Sequence, residues 1–522
     1  MKTKHIIFSL LIAGCFLFAS CDDKLDIDQH GVSTVDSFYE TDDEAEQAVI
    51  ACYSAWREIF WNSFAIKNTL GDECYASGGT WTDSNIYIIS TYTFDASNSY
   101  IEGLFSNLYE VVYAANVVLE NVDESSDIKG RARAEARVFR AMAYFELITL
   151  WGTPPLVDHT LGSDEYNQPN GDTSELWALV NEDLTEAINS GYLEEKSDVD
   201  TYTYRITKQF AQALLGKAYV FQEDYSSAAS VLDEVIESGK YALVNGQVSD
   251  TNGDPLYFDD VLTTRGDGCC ESLFEINYVI DAANLYINTI WTYGHWRGEM
   301  LSFNDDVIYD HNGWGYFSPS TDSYDAFVEM GDTYRLSGSI RTLAEMEEMG
   351  VSISSSTEYM PDNAGYFDWK YRVYADDVYS GGMMFCPANT REMRYAEVLL
   401  LAAEAYVQTG NTSKALDYIN QVRDRAQLPS LTTVTMDDIK KERQCELWLE
   451  RCRYQDLVRW GDAASVLADR GKQRPALYPD GTVSWDLQTN SSAGFVSGKH
   501  ELLPFPTTEM NVNTSLVQNP GY

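Results

Sequence analysis

From about Thr41 to Gly246 apolar side chains recur with a 3.6-residue period, which predicts helices near 43–61, 105–122, 131–151, 173–190, 207–222 and 225–239. Punctuation supports these ends: Asp43 and Asp224 stand where N-caps are expected, Gly152 with Pro154 and Pro155 stops one helix, and Gly191 and Gly239 stop two more. Between Asn245 and Pro387 the period gives way to Gly, Asp, Ser, Asn and aromatic residues. This stretch reads as irregular, with short strands such as LFEINYVI at 273–280. Helical patterning returns from Arg394 to Trp460, and an irregular tail runs to Tyr522.

A repeat lies within this pattern. Gly216, Tyr219, Ala228, Leu232 and Val235 recur at identical offsets as Ala403, Tyr406, Ala415, Ile419 and Val422. Small residues that let two helices approach, with a tyrosine in the groove between them, make the tetratricopeptide pattern. Weaker copies pair the helix holding Ala141 and Tyr144 with that holding Ala187, and 43–61 with 105–122. The predicted fold is therefore predominantly all-α, a tetratricopeptide-like αα-superhelix with large irregular loop-rich insertions and a few short strands. Its frame spans 41–245 and 391–522, separated by an insertion at 246–390.

The first twenty residues are an address. Lys2 and Lys4 precede an apolar run from Ile6 to Ala19, too short to span a bilayer permanently. LFASC resembles a bacterial lipoprotein box, with Phe18 where Leu is commonest, so Cys21 is read as the lipidated new N-terminus and 21–40 as its tether; ordinary secretion is the alternative. With 81 acidic against 36 basic residues the formal charge is −45, which repels nucleic acid and anionic membrane surfaces. Cys52, Cys74, Cys269, Cys270, Cys386, Cys445 and Cys452 remain, an odd number with no C-x-x-C pair, so neither a disulfide framework nor a zinc site is indicated. The adjacent Cys269 and Cys270 are either two reduced buried thiols or a vicinal disulfide.

Four blocks carry a resemblance: CDDKLDIDQHGVSTVDSFYETDDEAEQAV at the mature start, EARVFRAMAYFELITLWGTPPLV, the pair RYAEVLLLAAEAYVQTGNTSKALDYINQVRDRA and IKKERQCELWLERCRYQDLVRWG, and the terminal LLPFPTTEMNVNTSLVQNPGY. In this order they resemble the SusD/RagB family of Bacteroidetes outer-membrane nutrient-binding lipoproteins, across almost the whole mature chain. The resemblance implies a surface-exposed protein, lipid-anchored (palmitate) to the outer membrane, its acidic CDDKLD tether marking export. Such a protein captures an oligosaccharide and closes it over a SusC-like TonB-dependent barrel; RagB-type members handle peptides, the alternative reading.

Of 12 Trp, 35 Tyr and 21 Phe, many fall in stretches without helical period. A sugar presents C–H faces and hydroxyls, so its site needs exposed rings and planar hydrogen-bonding side chains. DECYASGGTWTDSN at 72–85 offers Tyr75, Trp81 and Asn85; YINTIWTYGHWRGE at 286–299, continuing to HNGWGYF at 311–317, offers Trp291, Trp296, Arg297, Trp314 and Tyr316. The bland reading of any one ring is a buried loop anchor. Trp56, Trp61, Trp151, Trp448 and Trp460 sit on helices or helix stops and read as core, and GYFDWKYRVY at 365–374 as a strand with alternate faces buried.

The chain does not read as an enzyme. Glu442, Glu446 and Glu450 at i, i+4 spacing resemble a carboxylate metal face, but no Glu-x-x-His accompanies them, and Arg443, Arg451, Arg453 and Arg459 alongside indicate an ion-pair network. No cofactor is expected and no metal site is assigned; the Asp305–Asp306 and Asp376–Asp377 pairs are the acidic loops that calcium would use.

Overall fold

The computed structural model describes residues 39–76, 84–199, 203–250, 252–280, 285, 286, 288, 294, 300–302, 313–374, 386–485 and 490–522. Cys21 and the two aspartate pairs lie outside them. The periodic segments form α1 (Asp42–Leu70), α2 (Ser99–Asn121), α3 (Asp127–Trp151), α4 (Thr173–Asn189), α5 (Lys208–Phe221) and α6 (Tyr225–Glu237). α1 starts from Thr41, not Asp43. Thr41 Oγ1 accepts from the Glu44 N–H at 3.2 Å while the Glu44 carboxylate accepts from the Thr41 N–H at 2.9 Å, and Asp43 lies inside the first turn, where the helix dipole favours it. Asp224 does cap α6, accepting from Ser227 N–H, and Gly152 ends α3 at φ +77°, a conformation that favours glycine.

The repeat is real in space. α5 and α6 form one hairpin, α7 (Tyr395–Gln408) and α8 (Thr412–Arg425) the other, and α7 packs on α6. A Cβ at Gly216 would lie 2.5 Å from Leu232, so the glycine sets how closely α5 and α6 approach. Asp233 on α6 joins the hairpins: its carboxylate accepts from the Tyr406 and Tyr418 hydroxyls and pairs with Lys414. Tyr219 is half-buried. At the other end Trp151 Nε1 donates to Pro504 O at 2.9 Å and Leu503 N–H to Leu150 O at 2.7 Å, which fastens the terminal block to the stop of α3.

The insertion is more ordered than its composition suggests. It holds helices Thr321–Met330, Thr333–Ser339 and Leu343–Glu348, where an irregular chain was expected. The first buries only Ser323 and Phe327, so it has almost no apolar stripe to read, although Ser320 as N-cap and Gly331 at φ +69° mark its ends. LFEINYVI divides into β2 (Ser272–Ile276) and a short strand at Val279–Ile280; β2 pairs antiparallel with Thr390–Arg394, which feeds α7. Only Tyr366–Asp368 of GYFDWKYRVY is strand, and Trp369, Lys370 and Arg372 are buried beyond it. Trp56, Trp151 and Trp448 are core, whereas Trp61 and Trp460 are half-buried. Cys269 and Cys270 are free buried thiols, the reduced alternative, and Cys270 Sγ donates to Ala242 O at 3.2 Å.

The acidic block is an ion-pair network, but its partners come from far along the chain. Helix α9 (Met436–Glu446) ends before Glu450, so the three carboxylates do not share one helix face. Arg394 reaches Glu271 (2.6 Å), Glu446 (3.2 Å) and Glu450 (2.7 Å); Arg335 reaches Asp332, Glu442 and Glu446; Arg425 reaches Glu271 and Glu446; Arg423 reaches Glu442; and Lys370 reaches Glu450. Burial alone would raise the Glu446 carboxyl, but the guanidiniums of Arg425, Arg394 and Arg335 hold it well below the usual range.

Candidate functional site

Strand β1 (Cys74–Ala76) pairs antiparallel with β3 (Phe317–Pro319), placing Tyr75 opposite Ser318 and Ala76 opposite Phe317. Strand alternation buries Cys74 and Ala76 and leaves Tyr75 half-exposed. The first aromatic stretch therefore leaves the ladder at Ala76 at the same end where the second enters at Phe317, and the pairing closes the 240 residues of chain between them. Gly294, within the second stretch, also lies here: a Cβ on it would be 3.5 Å from the Phe317 ring. Phe317 itself is buried against Phe64 (ring centroids 5.1 Å) and Trp61 (6.0 Å) of α1, so the ladder stands on the frame.

Among the predicted contacts, Trp314 is 43% exposed and leans on Tyr316, 5.7 Å away at 55°. Tyr316 is buried and supports it from below. Asn85 is half-buried and donates from Nδ2 to Ser99 Oγ at 3.0 Å. Trp81, Trp291, Trp296 and Arg297 lie outside the described residues.

The structure adds rings that sequence reading missed. Trp485, 36% exposed, meets Tyr75 edge-on at 6.2 Å and 70°, and the Arg470 guanidinium covers the Tyr75 ring at 4.9 Å. Tyr324 and Tyr366 stack at 4.4 Å and 18°, beside Tyr75, where Ser318 Oγ donates to Tyr366 O at 3.5 Å. Trp485 follows the strand Val483–Ser484 in the tail that carries no periodicity, and Tyr324 sits on a helix without an apolar stripe. Only the Asp480-Gly481 turn before Trp485 was a usable signal. Tyr75, Tyr324, Tyr366 and Trp485 gather at this ladder, and Trp314 joins its edge through Tyr316 just before Phe317; the rings offer flat apolar faces with polar edges.

A buried turn holds this surface in place. Leu449 and Arg451 adopt φ of +59° and +64°, and the turn is stitched to α1 and β1. Leu449 N–H donates to Glu73 Oε1 at 2.8 Å, Arg451 N–H to Asn68 Oδ1 at 3.0 Å, and Arg453 grips Asp72 at 2.8 Å. Burial pushes the Glu73 carboxyl up to about 8. The folded protein thus keeps a proton on Glu73 that the unfolded chain gives up above its ordinary 4.5, so this stabilisation is full below 4.5 and declines as pH rises toward 8. Urea titrations at pH 6.5 and 8 should show lower stability at pH 8. Glu73→Gln, which keeps the acceptor for Leu449, should flatten that slope; an unchanged slope would assign it to other groups.

Three comparisons place this architecture. A family model described as "SusD family" matches residues 347–522, and one described as "Starch-binding associating with outer membrane", of the SusD-like class, matches 33–220. A SusD-like protein of Bacteroides ovatus is 26% identical over 88% of this chain and 83% of its own length, and the starch-binding protein SusD of Bacteroides thetaiotaomicron is 23% identical over 86% and 83%. Among solved structures, a laminarin binding SusD-like protein superposes with a TM-score of 0.74 at 27% identity, covering 93% of this chain and 100% of that one. The surface glycan-binding protein A of Bacteroides thetaiotaomicron in complex with laminarihexaose shares the fold, with a TM-score of 0.71 at 24% identity over 92% and 99%.

Proposed function

The chain belongs to the SusD/RagB family, whose SusD-like members are glycan-binding and non-catalytic, and from that premise we propose that it captures an oligosaccharide on the aromatic surface around β1 and β3. The observation that carries the proposal is the antiparallel pairing of Tyr75 with Ser318, which draws both aromatic stretches to one edge of the frame. The 27% identical relative that binds laminarin and the SusD protein that binds starch supply the ligand class, a neutral glucan. An uncharged ring surface suits such a ligand, and the high acidic charge elsewhere disfavours polyanions.

The LFASC box after the apolar run 6–19 supports an anchor through lipid on Cys21, where two or more acyl chains would hold the protein firmly. From there it hands its cargo to a SusC-like TonB-dependent barrel in the same outer membrane. Two or three rings with a few hydrogen bonds offset the cost of association only modestly, which gives affinities of roughly micromolar to millimolar and suits release to a transporter.

Titration with laminarihexaose and maltohexaose should quench intrinsic tryptophan fluorescence for one of the two. Silence toward a broad glycan panel together with quenching by peptides would replace the glycan reading with the peptide-binding alternative.

A further inference from the structure

A cleft of about 500 Å³, lined by none of the rings named above, opens between the start of α7, the end of α8 and the segment after α6. Its volume lies within the roughly 300–1,000 Å³ range of small-molecule sites. Tyr241 and Tyr395 form the floor, nearly parallel at 22° with centroids 6.2 Å apart, and both are buried. Tyr257 is 44% exposed at one wall, and Tyr334 is half-buried at another. The rim carries the planar side chains of Asn245, Gln421 and Gln427, all exposed.

Two features set this cleft apart from a chance depression. Gly246, at φ +84°, lets the Tyr257 ring close against the backbone, since a Cβ there would lie 2.6 Å from that ring. Gln427 ends α8 at φ +58°, the left-handed position where glycine is the unstrained choice. A side chain is thus kept where its absence would relax the backbone, and that side chain stands on the rim. A non-glycine residue in that region costs free energy and persists where the surrounding structure fixes it.

The chemistry selects the ligand. The charge of Arg425, which also lines the cleft, is taken up by Glu271 and Glu446 at 2.8 and 2.5 Å, so the guanidinium is already committed to carboxylates. What remains are phenol rings, amides that both donate and accept, and the single carboxylate of Asp424. We propose that this tyrosine cleft is a second saccharide site, holding a neutral oligosaccharide segment by ring stacking on Tyr257 and amide hydrogen bonds from Gln421 and Gln427. The choice of ligand class rests on the glycan reading above; the existence of the site rests on the cleft itself. A long glucan reaching both places would be held bivalently, and its effective affinity would exceed that of either site.

The test uses the full chain with the loop surface disabled by Trp314→Ala and Trp485→Ala, and laminarihexaose and maltohexaose as probes in isothermal titration calorimetry. One of the two should still bind this protein at one equivalent without quenching tryptophan, because the cleft contains none. Adding Tyr257→Ala should weaken that binding about tenfold. Gln427→Gly should weaken it as well while leaving thermal stability equal or higher, a combination that a purely structural role for Gln427 does not give. The proposal is overturned if neither probe binds the disabled protein, or if binding persists unchanged in Tyr257→Ala. If the wild-type protein fails to quench with any glycan yet the cleft still binds, the loop reading falls and the cleft stands.

Discussion

Replacing Arg394 with alanine is expected to destabilise the fold by about 4 kcal/mol, the usual cost of removing one partner from a fully buried ion pair. With an unfolding entropy near 2 cal/mol/K per residue, roughly 500 residues melting together would lose about 4 °C in Tm. The size follows from burial: the Arg394 side chain is 1% exposed, and it neutralises Glu271 and Glu446, both 0% exposed, and Glu450. Lys370, Arg335, Arg423 and Arg425 remain, so five cations facing five carboxylates become four. The sign with pH separates charge from cavity. Deprived of Arg394, the carboxylates gain affinity for protons, so the variant's deficit should shrink as pH falls from 7 toward 5. A deficit independent of pH would mean that lost packing, not uncompensated charge, explains the effect. Lys472→Ala, breaking a pair 40% and 90% exposed, should stay within about 0.5 kcal/mol.

This network shows which parts of the molecule the sequence could reveal. The helices of the frame were legible because each buries a stripe of its own residues, so the period is written locally, and even the repeat between α5–α6 and α7–α8 follows from small residues at fixed spacing. The carboxylates at 442, 446 and 450 were legible as structural, yet not their partners: Arg335 and Arg394 arrive from the insertion and from the strand before α7, and nothing local encodes that meeting. The binding surface divides in the same way. Trp314 and Tyr75 stood out because aromatic residues without helical period signal loops. Trp485, Tyr324 and Tyr366 reach the same place only through the pairing of β1 with β3 and its neighbours, a tertiary fact that leaves two- and three-residue strands too short to read.

That division yields the sharper prediction about binding. Trp314→Ala alone should weaken the glucan that quenches fluorescence about tenfold, and Trp314→Ala with Trp485→Ala about a hundredfold, if each ring supplies stacking and burial of its own. Near-additivity is expected because each ring rests on a different partner, Trp314 on Tyr316 and Trp485 on Tyr75. Both rings are more than a third exposed, so Tm should move by no more than about a degree, and affinity and stability separate cleanly. Calorimetry with laminarihexaose and maltohexaose reads the change directly. If Trp485→Ala leaves affinity untouched while Trp314→Ala weakens it, the site is confined to the second aromatic stretch, and Tyr75 with Trp485 serves only to brace it. If neither substitution matters, the glucan is held elsewhere and the pairing of β1 with β3 loses its functional meaning.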